Sequence, residues 1–170
     1  MSNEDRTDVI TEEARVQRLG EIGLENFPPY LMNRIMGRYN AALRDEMANL
    51  GLTTPKMRTL AVLSVIDGLL IRELAIYAVV EVSTLSRALD ALERDGLVRR
   101  VADKDDSRAV RIHLTPKGRD THEQLWPHLA DAYRQMFKGI SDADLQRELA
   151  LMTGSEGLLG VVTEVTVAEF

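Results

Sequence analysis

The cations of this chain are unevenly placed, and their placement is the first pointer to chemistry. From Ser83 to Arg119 there are nine Lys or Arg against six Asp or Glu, a net of +3; the rest of the 170 residues holds 12 basic and 21 acidic side chains, a net of −9. A polyanion such as duplex nucleic acid needs cations only where it touches the protein, so a basic island in a body of net charge −6 fits a phosphate-contacting surface. Taken alone, the same count also fits ordinary solvated surface. Reactive constellations are missing: no nucleophile and base stand at a shared spacing, and no Gly-rich loop is built to cradle phosphate. His122 and His128 fall on different helix faces and form no convincing ligand set with His113. The chain therefore reads as a non-enzyme with no cofactor and no metal.

The island carries its own structural signals. At about 100° per residue Leu85, Leu89, Leu92 and Gly96 share one side with Ala88, while Ser83, Arg87, Asp90 and Arg94 share the other and Thr84 and Ser86 flank them. With Ser83 as N-cap and Gly96 just past the C-terminus, the pattern predicts an amphipathic helix over residues 84–95. Asp90 and Arg94 are spaced for a weak helix-surface pair. Beyond Gly96 the period changes. Val98 to Val101, then Val110, Ile112 and Leu114 alternating with Arg111 and His113, predict a β-hairpin with a charged tip. Thr115-Pro116 then caps and opens a further helix.

Asp106-Ser107-Arg108, five residues, and Leu114-Thr115-Pro116-Lys117-Gly118 match the D-x-R-x5-L-T-x-x-G wing signature of the MarR (multiple-antibiotic-resistance regulator) family. The preceding STLSRALDALERDGLVRR resembles that family's recognition helix and first wing strand. A looser likeness runs from about Phe27 to the helix after Ser141. The resemblance implies a mainly α fold with a small β-hairpin wing, and a sequence-specific DNA-binding regulator acting as a homodimer on double-stranded DNA. It assigns Ser83, Thr84, Ser86 and Arg87 to base edges, with Arg87 suited to guanine. Ser83 also reads as a cap alone. Arg108 matches the wing arginine that enters a narrow minor groove, Asp106 is expected to orient its guanidinium, and Lys104 to meet phosphate.

Composition agrees with a folded regulator. Hydrophobic residues are 45% and charged residues 28%, a globular balance, and cysteine is absent, which excludes disulfides and cysteine-based redox sensing. With no apolar run of membrane-spanning length and no signal-like N-terminus, a cytoplasmic location is the expectation and membrane partners are not.

In chain order, residues 1–25 read as a flexible arm, or a helix ordered only against a partner subunit, interrupted at Gly20 and Gly23. Residues 26–170 read as one domain, with the winged helix-turn-helix at about 52–116 and dimerisation helices at about 27–50 and 117–170. Leu70 and Val79 stand where the family has a Ser or Thr cap and a glycine turn, so the turn before the recognition helix is expected to be altered, at about 1 kcal/mol if Val79 is left-handed. Pro127 predicts a kink near residues 123–126. Ser141 with Asp144 resembles a capping box for a helix ending near Thr153-Gly154. The apolar tail from Gly157 is expected to pack against a partner subunit or the long helices.

The terminal helices carry apolar stripes that one winged lobe cannot cover, and a twofold dimer is the economical solution. The resemblance also implies a small, often aromatic or anionic effector, for which Tyr30, Arg34 and Met57 are candidate wall residues; helical core packing is the favoured account of Tyr30 and Met57. The rival function class is a winged-helix dimer used for protein interaction or small-molecule sensing without specific DNA binding.

Overall fold

The computed structural model describes residues 18–104, 106 and 108–153. The expected arm up to residue 17 and the apolar tail from Gly157 lie outside the described residues. The chain falls into two units, Met1–Arg38 and Tyr39–Phe170.

In the first unit α1 (Leu19–Ile22) is a single turn followed by a 3-10 turn, Leu24–Asn26. Gly20 sits inside α1 rather than breaking it; Gly23, at φ 79°, is the residue that stops it. Helix α2 (Pro28–Ala42) begins at the double proline, and its Leu31, Met32, Ile35 and Met36 stay exposed.

The helix expected to run unbroken to residue 50 is interrupted. Leu43, fully buried at φ −97°, ψ −5°, separates α2 from α3 (Arg44–Asn49), and its carbonyl accepts the Met47 N–H at 2.9 Å. Its end is a Schellman turn. Gly51 takes φ 67°, its N–H donates to the Ala48 carbonyl at 3.0 Å, and the Leu52 N–H donates to Met47 at 2.7 Å.

The winged lobe comprises α4 (Thr54–Val65), β1 (Leu69–Leu70), α5 (Ile71–Ala78), α6 (Val82–Arg94), β2 (Val98–Ala102) and β3 (Val110–Leu114). Its core is built from Leu60, Leu63, Leu74, Leu85, Leu89, Leu92 and Ile112, each at most 1% exposed. The three strands form an antiparallel sheet in the order β1-β3-β2, with Val98 opposite Leu114, Ala102 opposite Val110 and Leu69 opposite Ile112. Strand β3 lies where its alternation predicts it, and β2 where the β-prone run from Val98 to Val101 predicts it. Strand β1 has no sequence signature, because two residues cannot display a period.

Helix α7 (Pro116–Met136) starts at the expected cap: the Thr115 hydroxyl accepts the Gly118 N–H at 3.0 Å. It runs as one helix through Pro127, which removes one backbone donor without dividing it. Leu125 and Leu129 carry it onto the core, joined by Leu43 and, from α3, by Met47. Helix α8 (Asp142–Thr153) is capped by Ser141, whose hydroxyl donates to the Asp144 carboxylate at 2.6 Å and accepts the Asp144 N–H at 3.2 Å. The fold is mainly helical with a small wing, as the sequence predicts.

Candidate nucleic-acid interface

Helix α6 separates its faces cleanly. Leu85, Ala88, Leu89 and Leu92 are buried, while Ser83, Thr84, Ser86, Arg87, Asp90 and Arg94 are exposed. The helix begins two residues earlier than predicted, with Glu81 at the N-cap and its carbonyl accepting the N–H groups of Thr84 and Leu85 at 2.9 and 2.8 Å. Ser83 is therefore not the cap. It lies inside the first turn, and the Arg87 Nε donates to its carbonyl at 3.3 Å.

The turn leading into α6 is altered as the sequence implied. Val79 adopts φ 52°, ψ 55°, and among the described residues no other non-glycine has positive φ. Its N–H donates to Ile76 and the Val80 N–H to Ala75, both at 3.1 Å, the same Schellman pattern that closes α3 at Gly51 and α6 at Gly96. Arg58 on α4 steadies the turn, with its Nη1 donating to the Val79 carbonyl at 3.2 Å. At the other end of α5, Leu70 offers no side-chain oxygen, yet Glu73 reaches back to accept the Leu70 N–H at 2.8 Å. Half of a capping box survives without the cap residue.

The wing tip is organised by carboxylates. Asp103 and Ala109 close the hairpin (Asp103 N–H to the Ala109 carbonyl, 2.9 Å), and the Asp103 carboxylate accepts the Asp106 N–H at 3.0 Å. Asp106 in turn accepts the backbone N–H of Arg108 at 2.9 Å. That contact, from a short side chain to the backbone donor two residues on, makes an Asx-type turn at the wing tip. Lys104, Asp106 and Arg108 are all exposed. Arg111 pairs with Asp103 and donates to the Gly68 carbonyl at 2.9 Å, tying the wing to the turn before β1.

That turn is reinforced by Asp67, which accepts the Leu114 N–H at 2.8 Å and meets His113 Nδ1 at 2.9 Å. Partial burial pushes the Asp67 carboxyl up, but the Leu114 N–H, His113 and the Gly68 N–H outweigh it and hold the group below its usual range. Not every cation of the basic island faces outward. Lys117 Nζ donates to the Asp95 carbonyl at 2.8 Å, and Arg100 turns back onto α6. Burial opposes the charge on Arg100, but Asp90 and Glu93 overcome it and raise the guanidinium above its ordinary value. Asp90 is thus paired with Arg100 on β2, at 2.7 Å, and not with Arg94 as helix spacing suggested.

Sequence reasoning missed Arg100, Arg111 and Asp67, because their partners lie 10, 43 and 47 residues away in the chain. The one available signal for Arg100 was a pair of acids one turn apart on a helix that precedes a basic strand.

The candidate effector residues are placed differently. In the first unit the Arg34 Nη1 donates to the Tyr30 hydroxyl at 2.9 Å, with the guanidinium 5.7 Å from the ring centre. Met57, in the second, is 4% exposed and belongs to the hydrophobic core. Of the histidines, His113 serves Asp67, His122 sits beside Trp126 with ring centres 6.1 Å apart, and His128 lies 3.6 Å from Glu46. Among the described residues no cluster of metal-ligating side chains occurs.

Comparison with known proteins decides the family. A crystal structure of a MarR-family transcriptional regulator from Silicibacter pomeroyi is 52% identical to this chain, covers 91% of it and is itself covered completely, with a TM-score of 0.77. The chain belongs to the MarR family. The MarR family model matches residues 52–110 of this member, from the loop before α4 to the start of β3. The HTH-type transcriptional repressor IacR of Pseudomonas putida is 27% identical over 127 residues, spanning 75% of this chain and 76% of the relative. The structure of CouR from Rhodococcus jostii RHA1 bound to p-coumaroyl-CoA shares the fold, with 21% identity, 85% and 97% coverage and a TM-score of 0.69. This MarR-family chain is a transcriptional regulator, and regulators of the family are not enzymes. Among the described residues no helix is long and apolar enough to cross a membrane.

Proposed function

We propose that this chain is a cytoplasmic, sequence-specific repressor that binds a pseudo-palindromic operator as a homodimer and releases it in response to a small ligand. The observation that carries the DNA-binding reading is the joint exposure of one α6 face and the wing tip. Ser83, Thr84, Ser86 and Arg87 stand free of the core on a helix anchored from behind by four buried side chains, and Lys104 and Arg108 extend the same lobe. Arg87 is suited to bidentate contact with guanine, the hydroxyls to either base edge, and Arg108 to the minor groove. Two such lobes reading successive major grooves require recognition helices about 34 to 36 Å apart.

Dimerisation is supported by exposed apolar side chains on the terminal helices: Leu31, Met32, Ile35 and Met36 on α2, and Trp126 and Tyr133 on α7. Burying such side chains in a twofold interface removes them from water. The ligand-responsive part draws on CouR, whose structure holds p-coumaroyl-CoA, and an aromatic or anionic effector is the corresponding class here. Tyr30 and Arg34 supply an aromatic ring and a cation for it, whereas Met57 is buried in the hydrophobic core and is given no ligand contact.

A selection from a random-sequence duplex library tests the reading. The expected result is an enriched inverted repeat bound at least about a thousandfold more tightly than random duplex. A ratio near one would favour the protein-interaction alternative.

A further inference from the structure

Asp90 shares the outward face of α6 with Ser83, Arg87 and Arg94, so a helix aimed at a polyanion carries a carboxylate in the middle of its contact surface. Glu93 adds a second acid on the flank. Both are met from β2 by a single side chain. Arg100 Nη2 lies 2.7 Å from Asp90 Oδ1, its Nη1 pairs with Glu93 Oε2, and its backbone N–H donates to Glu93 Oε1 at 3.3 Å. The Arg100 side chain is 27% exposed against 56% for Asp90, so the cation lies beneath the acids that it binds. A planar fork with donors on two nitrogens can satisfy two carboxylates at once, which a lysine ammonium does less well.

Resting on the DNA-binding reading above, we propose that Arg100 is a positioning residue for duplex recognition and not a phosphate contact. It offsets half of the charge on the two acids that α6 would otherwise turn toward phosphate, and it fastens the wing to the recognition helix. The two elements that must enter neighbouring grooves are thereby held at one angle, with the contact geometry built before DNA arrives.

The test uses the full chain and the duplex it enriches from a random-sequence library, with binding followed by fluorescence anisotropy over a salt series. R100A should bind that duplex about tenfold more weakly, because two acids are uncovered beside the backbone. Adding D90N and E93Q to R100A should bring affinity back to within about threefold of wild type, since the amide introduced by E93Q keeps an oxygen to accept the residue-100 N–H. R100K, the variant with least risk to folding, should fall between wild type and R100A. Three results would overturn the proposal: R100A binding like wild type; R100K binding like wild type, as a point-charge phosphate contact would allow; or a triple variant as weak as R100A with a salt slope shallower by about 1. Failure of the wild-type chain to enrich any sequence is a separate outcome, and it would overturn the DNA-binding reading itself.

Discussion

Replacing Val79 by glycine should stabilise this protein, against the usual direction of single substitutions. Val79 is held at φ 52°, ψ 55°, where an L residue costs roughly 1–2 kcal/mol and a β-branched one sits at the upper end. Glycine removes that cost. It also adds freedom to the unfolded chain, which offsets about 0.4–1 kcal/mol. The side chain is 76% exposed, so its deletion sacrifices little burial, and the 3.1 Å bonds from Val79 and Val80 involve only backbone. A net gain of about 1 kcal/mol follows, or roughly 2–4 °C in Tm for a chain of this length. Thermal unfolding followed by circular dichroism, at one fixed protein concentration because association raises Tm, provides the measurement. V79A, which keeps a Cβ, should gain less than V79G. A V79G Tm equal to or below wild type would refute the reasoning, since either the turn is not left-handed or the valine makes a contact that its exposure hides.

Three other substitutions probe the lobe. Gly118→Ala drives a Cβ into the Leu97 carbonyl oxygen and within 2.8 Å of Leu114 Cδ1, so a loss of about 3 kcal/mol is expected in chemical denaturation; a midpoint unchanged from wild type would contradict that geometry. Arg108→Ala should weaken binding to all duplexes and flatten the plot of log affinity against log salt by about 1, and an unaltered slope would remove Arg108 from the interface. Asp67→Asn should lower Tm at neutral pH. A carboxyl held below its usual range stabilises the fold above the unfolded value of about 3.9 and loses that contribution as pH falls through its folded value. The gap between wild type and D67N should therefore narrow as pH falls below about 5, and a constant gap would show that Asp67 acts by shape alone.

Gly118 also explains one letter of the wing signature. The helix-start glycine is needed because α7 passes directly over the Leu97 carbonyl, a contact that sequence pattern cannot express. Elsewhere the same division recurs. Residues 98–114 announced their hairpin because alternation is a local property, and the amphipathic spacing of Leu85, Leu89 and Leu92 announced α6 for the same reason. The start of α6 was placed two residues late because Ser83 is a good cap by type; the chain instead begins the helix at Glu81, directly after the turn at Val79 and Val80. The break at Leu43 has no local signal, because a buried leucine is compatible with helix and its backbone stays in the right-handed helical region.

By itself, then, the sequence determined the kinds of element, the basic island and the outward face that includes Ser83 and Arg87, because these depend on residues within a turn or two of each other. It also located the strained turn, since Val79 stands where a glycine belongs. Tertiary structure decided which charges face outward. Arg87, Lys104 and Arg108 are exposed on the surface, whereas Arg100 and Arg111 are committed to Asp90, Glu93 and Asp103. Charge is carried by the residue, but its availability depends on partners that arrive from other strands and helices only when the lobe closes.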